Sequence, residues 1–593
     1  MARQRANPLQ DPLHYASLQK KVGPPATKAS AAREMPSYDY IIVGGGAAGC
    51  VLAGTLSEDQ NVSVLLIEAG VDNNKLMETK APLMYGKLFH GEHDWNYFTM
   101  EQSSLASRRL YWPRARVLGG CTSMNTMMYH HCSPSDYDEW VSKHGCDGWG
   151  YDDLAPSFRE MEGYSWLTEI GEKGFLAACE ESGIRYNSDV NTPAGSLGAT
   201  RFQTSIDQKG QRSSPATAFL SPEARNRPNL FVACNARVLR VLFDRLSGEV
   251  PVAFGVELKT ARDGPLFQAH ARREVILSGG SVNTPQILMM SGIGAADELK
   301  KHGIALVKEN QNVGKHLKDH LTSAGILCKA RAGTTLDYLA NDLKAVPALL
   351  RWLALGSGPL TSNVAEVAAF LRSVDCESSE PSTAKPADNS SGKEAPDLEI
   401  IGAPLAYIHH GEETAKNGDN IYSMVAVGLR PKSSGNITLR SSDPFDAPVI
   451  DPRYLSDEKD NDRKVLLVGM RMLLRIMRAP AFQKFFEAVP VDDDVTLYWW
   501  PYSSSDPDAI TDEQLTRSMR EKAFTLYHPV GTARMGPSAS TSVVDLQCRV
   551  HGVEGLRVVD ASIFPEQVSG HPAAPVAAIA YKASKIIRES YSN

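Results

Sequence analysis

The run Tyr38-Asp39-Tyr40-Ile41-Ile42-Val43-Gly44-Gly45-Gly46-Ala47-Ala48-Gly49 constrains the fold of this chain more than any other stretch. Its first half is bulky or β-branched everywhere but Asp39 and reads as a strand buried in a parallel sheet. Gly44, Gly46 and Gly49 then give a G-x-G-x-x-G spacing. The first glycine permits a tight turn, the second lets backbone approach a pyrophosphate, and the third lets a helix pack on the strand. That helix, starting at Ala47 and Ala48 and running to Ser57, points its positive end at the phosphates. A second strand over 62–67 ends on Glu68, about where such units bind ribose hydroxyls, followed by Ala69. Strand, helix, strand and terminal acid in register predict dinucleotide binding.

The chain has 593 residues, 42% of them hydrophobic, enough for two or more intimately packed domains. A net charge of −7 argues against a nucleic-acid partner. The nine cysteines are scattered, with no CxxC pair, so neither a disulfide framework nor a structural zinc site is expected. A reducing, intracellular compartment fits, cytoplasmic first. No stretch has the length of a membrane span. Residues 1–37 lack the apolar core of a secretory signal and read as a polar arm, which could also serve organellar targeting.

Further along, Arg116 and Leu118 lead into Gly119-Gly120-Cys121-Thr122-Ser123-Met124-Asn125, a small-residue loop suited to presenting backbone amides to a ligand. Residues 130–132, His-His-Cys, invite a metal assignment. Adjacent side chains rarely face one ion, and no partner cluster completes a shell, so no metal is expected. Trp140, Trp149 and Trp166 read as core. Strands are expected over 228–241, 252–258 and 274–277. The last runs into a small-residue turn, with Pro285 in the first turn of a helix that ends at Ser291-Gly292. Residues 373–396 are almost free of apolar side chains and read as a mobile surface insertion. Residues 421–429 and 436–440 read as antiparallel strands, and 466–477 as a buried helix. Two histidines stand at Gly/Pro-punctuated breaks, where active-site residues concentrate: His528 and His571. Between them an apolar strand ends on Asp560 and Ala561. After His571, Pro572 and Ala573 open a final helix to about Glu589.

Several segments together make the chain similar to the glucose-methanol-choline (GMC) oxidoreductases, which are FAD enzymes. Gly280-Ser281-x-x-Thr284-Pro285-x-Ile287-Leu288-x-x-Ser291-Gly292-Ile293-Gly294 fits the second signature of that family. The run from Ala115 to Tyr129 resembles the first, with departures at Cys121 and Cys132. Val313 to His320 is a loose version of another family stretch. The resemblance implies an α/β (α+β overall) architecture: a Rossmann-type FAD-binding domain, and a substrate domain built on an antiparallel sheet flanked by helices. Residues 38–320 would be mainly FAD domain with substrate-domain insertions, 321–520 mainly substrate domain, and 521–593 a return to the FAD domain. Gly44, Gly46, Ala47, Ala48, Gly49, Glu68 and Ala69 would hold the ADP half, with Val238 at the adenine. Arg116, Leu118, Gly120, Thr122, Ser123, Asn125 and Met127 would line the flavin. Asp560, Ala561, His571, Pro572 and Ala573 would surround the ribityl and ring region. Family members with covalent flavin carry a histidine just before the asparagine of the first signature. Met124 stands there, so FAD is expected to be non-covalent.

The resemblance places His528 and His571 over the flavin. A histidine can be a neutral base near neutral pH, so His528 is expected to take the hydroxyl proton of an alcohol. His571 would hold the substrate oxygen, and the hydride would go to the flavin. The amino end of the final helix would stabilise the reduced ring. O2 or a quinone-type carrier would take the electrons onward. Tyr527, Tyr129 and the Trp499, Trp500 and Tyr502 cluster would line a pocket for aryl or aliphatic primary alcohols. Within the fold the alternatives are a hydroxynitrile lyase and, less well matched, a fatty-acid photodecarboxylase. The latter carries a cysteine before an Arg-Pro pair, where this chain has Leu429 before Arg430-Pro431. A nicotinamide dehydrogenase and a non-catalytic FAD protein are the rivals outside that chemistry. Oligomeric state is not legible.

Overall fold

The computed structural model describes residues 9, 11–18, 35–158, 163–164, 168–244, 250–376, 385–407, 420–486 and 510–591. In chain order, the elements that frame the site begin with β1 (Ser37–Val43), α1 (Ala47–Leu56), β2 (Val64–Ile67) and β3 (Gly198–Arg201). Next come β4 (Leu230–Ala233), β5 (Arg237–Asp244), β6 (Val252–Lys259), β7 (Phe267–Leu277) and α2 (Gly280–Met290). The middle of the chain supplies β8 (Leu321–Thr322), β9 (Ile326–Lys329), α3 (Asp342–Leu355), β10 (Val367–Leu371), β11 (Leu398–Ala403) and β12 (Ile421–Gly428). The last part gives α4 (Asn461–Arg478), β13 (Phe524–Thr525), β14 (Leu556–Val558) and α5 (Ala573–Glu589).

Two sheets organise the molecule. The first has eight strands, in the order β4-β2-β1-β7-β6-β5, with β14 also paired to β7. Its β4, β2, β1, β7 and β14 run parallel, and Ile41 of β1 sits between Leu65 of β2 and Val275 of β7. Those three side chains are fully buried, as a strand covered on both faces requires. The glycine turn after β1 meets its steric demand. Gly44 has φ +101°, and a Cβ there would lie 2.4 Å from the Ser278 carbonyl oxygen. A Cβ on Gly49 would lie 2.0 Å from the Gly44 carbonyl, so only glycine lets α1 seat this close. The second sheet has seven strands and is antiparallel, in the order β13-β8-β12-β11-β10-β3 with β9 on β12. Helix α4 covers it, burying Leu466, Leu467, Met470, Leu473, Leu474 and Met477. Each such side chain contributes roughly 1.5–3 kcal/mol of burial.

Four expectations need correction. The polar arm is not loose throughout: Tyr15 is fully buried in the core of the first sheet, and Ser17–Leu18 pair with Gln268 and Phe267. Ser17–Leu18 supply a short antiparallel strand on β7 that charge counting hides. Pro285 is not in the first turn of α2 but in its interior. Proline cannot donate to the carbonyl four residues back. The Thr532 hydroxyl donates to that Ser281 carbonyl instead, at 2.7 Å, and the helix survives. The insertion at 373–396 is not a mobile surface loop where it is described. Ala395 and Asn389 are buried, and Ser391 donates to Asp136 at 2.8 Å. The strand over 436–440 belongs to neither large sheet: Asn436–Thr438 pairs with Val449–Asp451. Trp140 and Trp149 are core, while Trp166, Trp499, Trp500 and Tyr502 lie outside the described residues.

Candidate active site

A cavity of about 260 Å³ runs across the carboxyl ends of the first sheet towards the second. At one end stand Glu68, Ala69 and Val238, in the middle Gly44, Gly46, Ala47 and Ala48, and opposite them Gly120, Thr122 and Asn125. The far end is closed by His528, Asp560, Ala561, His571, Pro572 and Ala573. Segments more than 400 residues apart in sequence thus share one wall. The cradle suits a dinucleotide. The nearest atom to a Cβ built on Gly46 is 3.9 Å away, so its face is open to a phosphate. The first N–H groups of α1, unpaired within the helix, point the same way.

Glu68 is fixed before any ligand arrives. Its carboxylate accepts from the N–H of Gly45 at 2.8 Å and of Gly70 at 2.7 Å. Burial pushes its pKa up to about 7 despite those bonds. Asp560 is likewise engaged: its carboxylate accepts from the Gly280 N–H at 2.8 Å and the Thr284 hydroxyl at 2.6 Å. It therefore ties β14 to the start of α2. Five predicted cofactor residues do not line the cavity. Leu118 and Ser123 are buried beneath the 120–123 turn, with the Ser123 hydroxyl donating to the Leu118 carbonyl. Gly49 is spent on helix packing, and Met127 is buried with φ +56°. Arg116 turns outward to the Glu92 carbonyl, 2.6 Å away.

The two histidines expected to act together do meet. Their ring centroids are 5.0 Å apart and the planes nearly perpendicular. His528 is delivered by the strand-to-loop transition after β13. Its N–H donates to Asp319 at 2.7 Å, and Gln567 donates to its carbonyl at 2.8 Å. The preceding Tyr527 holds φ +66°, a strained conformation for an aromatic residue. Its N–H donates to the Thr525 hydroxyl at 2.7 Å, and Arg114 donates to its carbonyl. The loop is also tied to α2, since the Ser281 hydroxyl donates to the Pro529 carbonyl at 2.6 Å.

A third imidazole, without a role assigned from sequence, sits behind His528. His320 Nε2 lies 3.1 Å from the Val568 carbonyl oxygen, and His320 Nδ1 lies 2.9 Å from His528 Nδ1. A carbonyl can only accept, so His320 Nε2 carries the hydrogen and Nδ1 carries the lone pair. His528 Nδ1 must then donate. Neutral His528 is therefore the Nδ1–H tautomer, with its lone pair on Nε2, left for the cavity that the ring lines. Burial pushes His528 well below the ordinary histidine range, with His571 and then His320 adding to it. Burial also takes His320 down to about 3.

His571 Nε2 lies 2.9 Å from Glu399 Oε1, and both side chains are buried. Glu399 interrupts the apolar run Leu398-Glu399-Ile400-Ile401 on β11. A lone carboxylate in a buried strand was the signal that could have found it. Behind both loops, Arg430 pairs with Asp136 and Glu139 and donates to the Gln567 carbonyl. Asp136 in turn accepts from the Ser569 N–H and hydroxyl at 2.8 and 2.6 Å. The His-His-Cys run supports this region: Cys132 Sγ lies 3.8 Å from the His571 carbonyl, and His130 meets Ser196 at 3.2 Å. Among the described residues no group of three or more His, Cys, Asp or Glu side chains could hold a metal ion.

A second chamber of about 140 Å³ opens beside His528 and shares Arg114, Cys121, Asn125, Thr126, Met128 and Tyr527 with the first. Its remaining wall is mostly apolar, including Tyr85, Phe89, Val364, Ile401, Val425 and Phe524. Tyr527 lines it, its hydroxyl 3.2 Å from that of Tyr407. Tyr129 does not. It is buried elsewhere, its hydroxyl donating to the Phe158 carbonyl.

A family model described as GMC oxidoreductase matches residues 38–322, and its C-terminal counterpart matches residues 431–580. The chain belongs to the GMC oxidoreductase family. It is similar to Dehydrogenase str4 of Strobilurus tenacellus, 39% identical over 587 residues, covering 93% of this chain and 94% of that one. It is also similar to Alcohol dehydrogenase [acceptor] of Pseudomonas putida, 36% identical over 575 residues, covering 93% and 95%. A crystal structure of formate oxidase shares the fold, with a TM-score of 0.84 at 24% identity over 96% of this chain and 99% of the other. The GMC assignment bears out the Rossmann-type FAD-binding architecture that the family resemblance implied, and makes the chain an FAD-dependent oxidoreductase.

Proposed function

We propose that this GMC enzyme oxidises the CH–OH group of an aryl or aliphatic primary alcohol. One observation carries the reading: two imidazoles on one wall of the nucleotide cleft, one of them held by hydrogen bonds in the tautomer that offers Nε2. Relatives named as dehydrogenases, an alcohol dehydrogenase among them, agree with the reaction class. The apolar second chamber beside His528 supports an apolar alcohol.

When bound, FAD supplies the hydride acceptor. The residues that would hold it are Gly44, Gly46, Ala47, Ala48, Glu68, Ala69 and Val238 at the nucleotide end, and Gly120, Thr122, Asn125, Asp560 and Ala561 further along. His528 Nε2 takes the hydroxyl proton. His320 keeps the Nδ1 hydrogen in place throughout, and a bond from a charged His528 is the stronger one. His571, oriented by Glu399, holds the substrate oxygen. The amino end of α5, beginning beside His571, brings partial positive charge to the same wall. The FAD is non-covalent in this reading. Met124 is a thioether packed with Leu88, Ala115 and Val117, not a nucleophile on the cleft. Acid precipitation should release the flavin into the supernatant.

Anaerobic addition of benzyl alcohol or 1-octanol to the yellow holoenzyme should bleach the flavin absorbance, and His528→Ala should slow bleaching by roughly 10²–10⁴ while the protein stays yellow. A holoenzyme that no alcohol bleaches, or a His528→Ala variant as fast as the parent, overturns the reading. The first outcome with cyanohydrin cleavage would mark a lyase. Admitting air, or adding a quinone dye, to the bleached sample identifies the electron acceptor.

A further inference from the structure

Helix α3 presents an apolar stripe to solvent. Leu343, Leu350, Leu353 and Leu355 are 84, 60, 62 and 72% exposed, and Val346 is also exposed. Leu343, Val346, Leu350 and Leu353 follow a 3-4-3 spacing, which puts them on one helical face. Nowhere else among the described residues do exposed large hydrophobic side chains recur so closely along one element. The opposite face is firmly seated. Ala348 and Trp352 pack against Ala81 and Leu360, and the Trp352 indole donates to the Gly210 carbonyl at 2.8 Å. The stripe is therefore a fixed feature of a docked helix, not the frayed side of a loose one.

Lys344 and Arg351 are exposed beside the stripe, and with Asp342 at its first position α3 carries a formal charge of +1 (two cations less one acid). In a chain of net charge −7, that is a local reversal. A leucine stripe flanked by cations fits an anionic bilayer surface. The helix, about 21 Å long, is too short to cross a membrane, and no helix among the described residues is long and apolar enough to do so. A second copy fits less well. One helix face of this length covers on the order of 200 Å², against about 800 Å² per partner in a stable interface.

We infer that α3 is an interfacial helix that seats the enzyme on the surface of a bilayer containing anionic lipid. The seated face leads inward. Leu83 packs against α3 and also against Tyr85, Val364 and Ala403, which wall the apolar chamber beside His528. The membrane surface would thus lie one layer of side chains from the alcohol-binding chamber.

Flotation of the full-length holoenzyme with phosphatidylcholine vesicles, with and without phosphatidylserine, tests this without reference to turnover. The enzyme should float with the phosphatidylserine vesicles. The bound fraction should drop roughly tenfold or more in Leu350→Glu/Leu353→Glu, which removes buried apolar area, and in Lys344→Glu/Arg351→Glu, which reverses the charge. Flavin content confirms that each variant is folded, and either folded variant suffices. A parent enzyme that stays with the soluble fraction, or variants that float as well as the parent, overturns the proposal. So does a parent that light scattering finds dimeric and Leu350→Glu/Leu353→Glu makes monomeric, since a second copy would then own the stripe.

Discussion

At the residue scale, the site turns on which ring nitrogen of His528 carries its hydrogen. That choice is made by the Val568 carbonyl, relayed through His320. His320→Phe keeps a ring in the space but removes the acceptor. It should lower kcat by roughly 10- to 1000-fold, less than the roughly 10²–10⁴ that general-base catalysis supplies in full, while flavin content is unchanged. Stopped-flow reduction of the two proteins reads this directly. The depressed pKa of His528 has a kinetic consequence as well. The base stays neutral on the acid side of neutrality, so kcat/KM should be flat between about pH 8 and about pH 6. An acid limb near or above about 6.5 would place the base elsewhere. Stability moves in a fixed direction. The folded His320 stays neutral until about pH 3, whereas an unfolded histidine takes up its charging proton near pH 6.5. Unfolding therefore becomes easier as pH falls between those values, by about 1.4 kcal/mol per pH unit at most. His320→Phe should flatten that dependence in denaturant titrations at several pH values. His528 and His571 were legible as residues at Gly/Pro breaks. His320 was legible only as part of a loose family stretch, because its role depends on a hydrogen-bond partner 248 residues away.

At the element scale, a proline inside α2 became a joint between two distant segments. Pro285 leaves the Ser281 carbonyl without a helical donor, and Thr532 provides one from the loop that carries His528. Ser281 answers by donating to Pro529. Thr532→Val keeps the volume and deletes the donor in a fully buried position. It should cost about 1–3 kcal/mol of stability by leaving the carbonyl unpaired, measured by urea unfolding. Slower flavin reduction should accompany it, because the His528 loop loses one of its ties. The helix itself was legible from its glycine stop at Gly292 and its apolar content. Its first turn was misread because a proline was assigned to the position it most often takes, and no local pattern could announce a rescuing hydroxyl from far along the chain.

For the whole molecule, the cofactor cleft lies between two sheets that are each assembled from dispersed segments. β3 joins the second sheet from within the part of the chain that otherwise builds the first, and β14 returns to the first sheet near the end. A dinucleotide filling that cleft touches both and should stabilise them together. FAD present at about a hundredfold excess over its dissociation constant should add about 2.7 kcal/mol. A rise in the thermal midpoint of the deflavinated protein on titration with FAD checks it. A midpoint insensitive to FAD would mean the cleft does not bind it in the folded state.

What the sequence determined by itself was local: the glycine turn, the strands of the parallel sheet, the two histidines at their breaks and the apolar helix over 466–477. Each depends on steric freedom, periodicity or chain punctuation within about a dozen residues, and such information survives in one dimension. Only the tertiary structure decided which residues do what. It retired Met127, Arg116 and Tyr129 from the cavity, and it brought in His320 and Glu399. It also docked part of the polar arm on the core. The physical reason is common to all of these. Orientation, tautomer and burial are set by atoms that approach only when the chain has folded, and their sequence separation carries no trace of that approach.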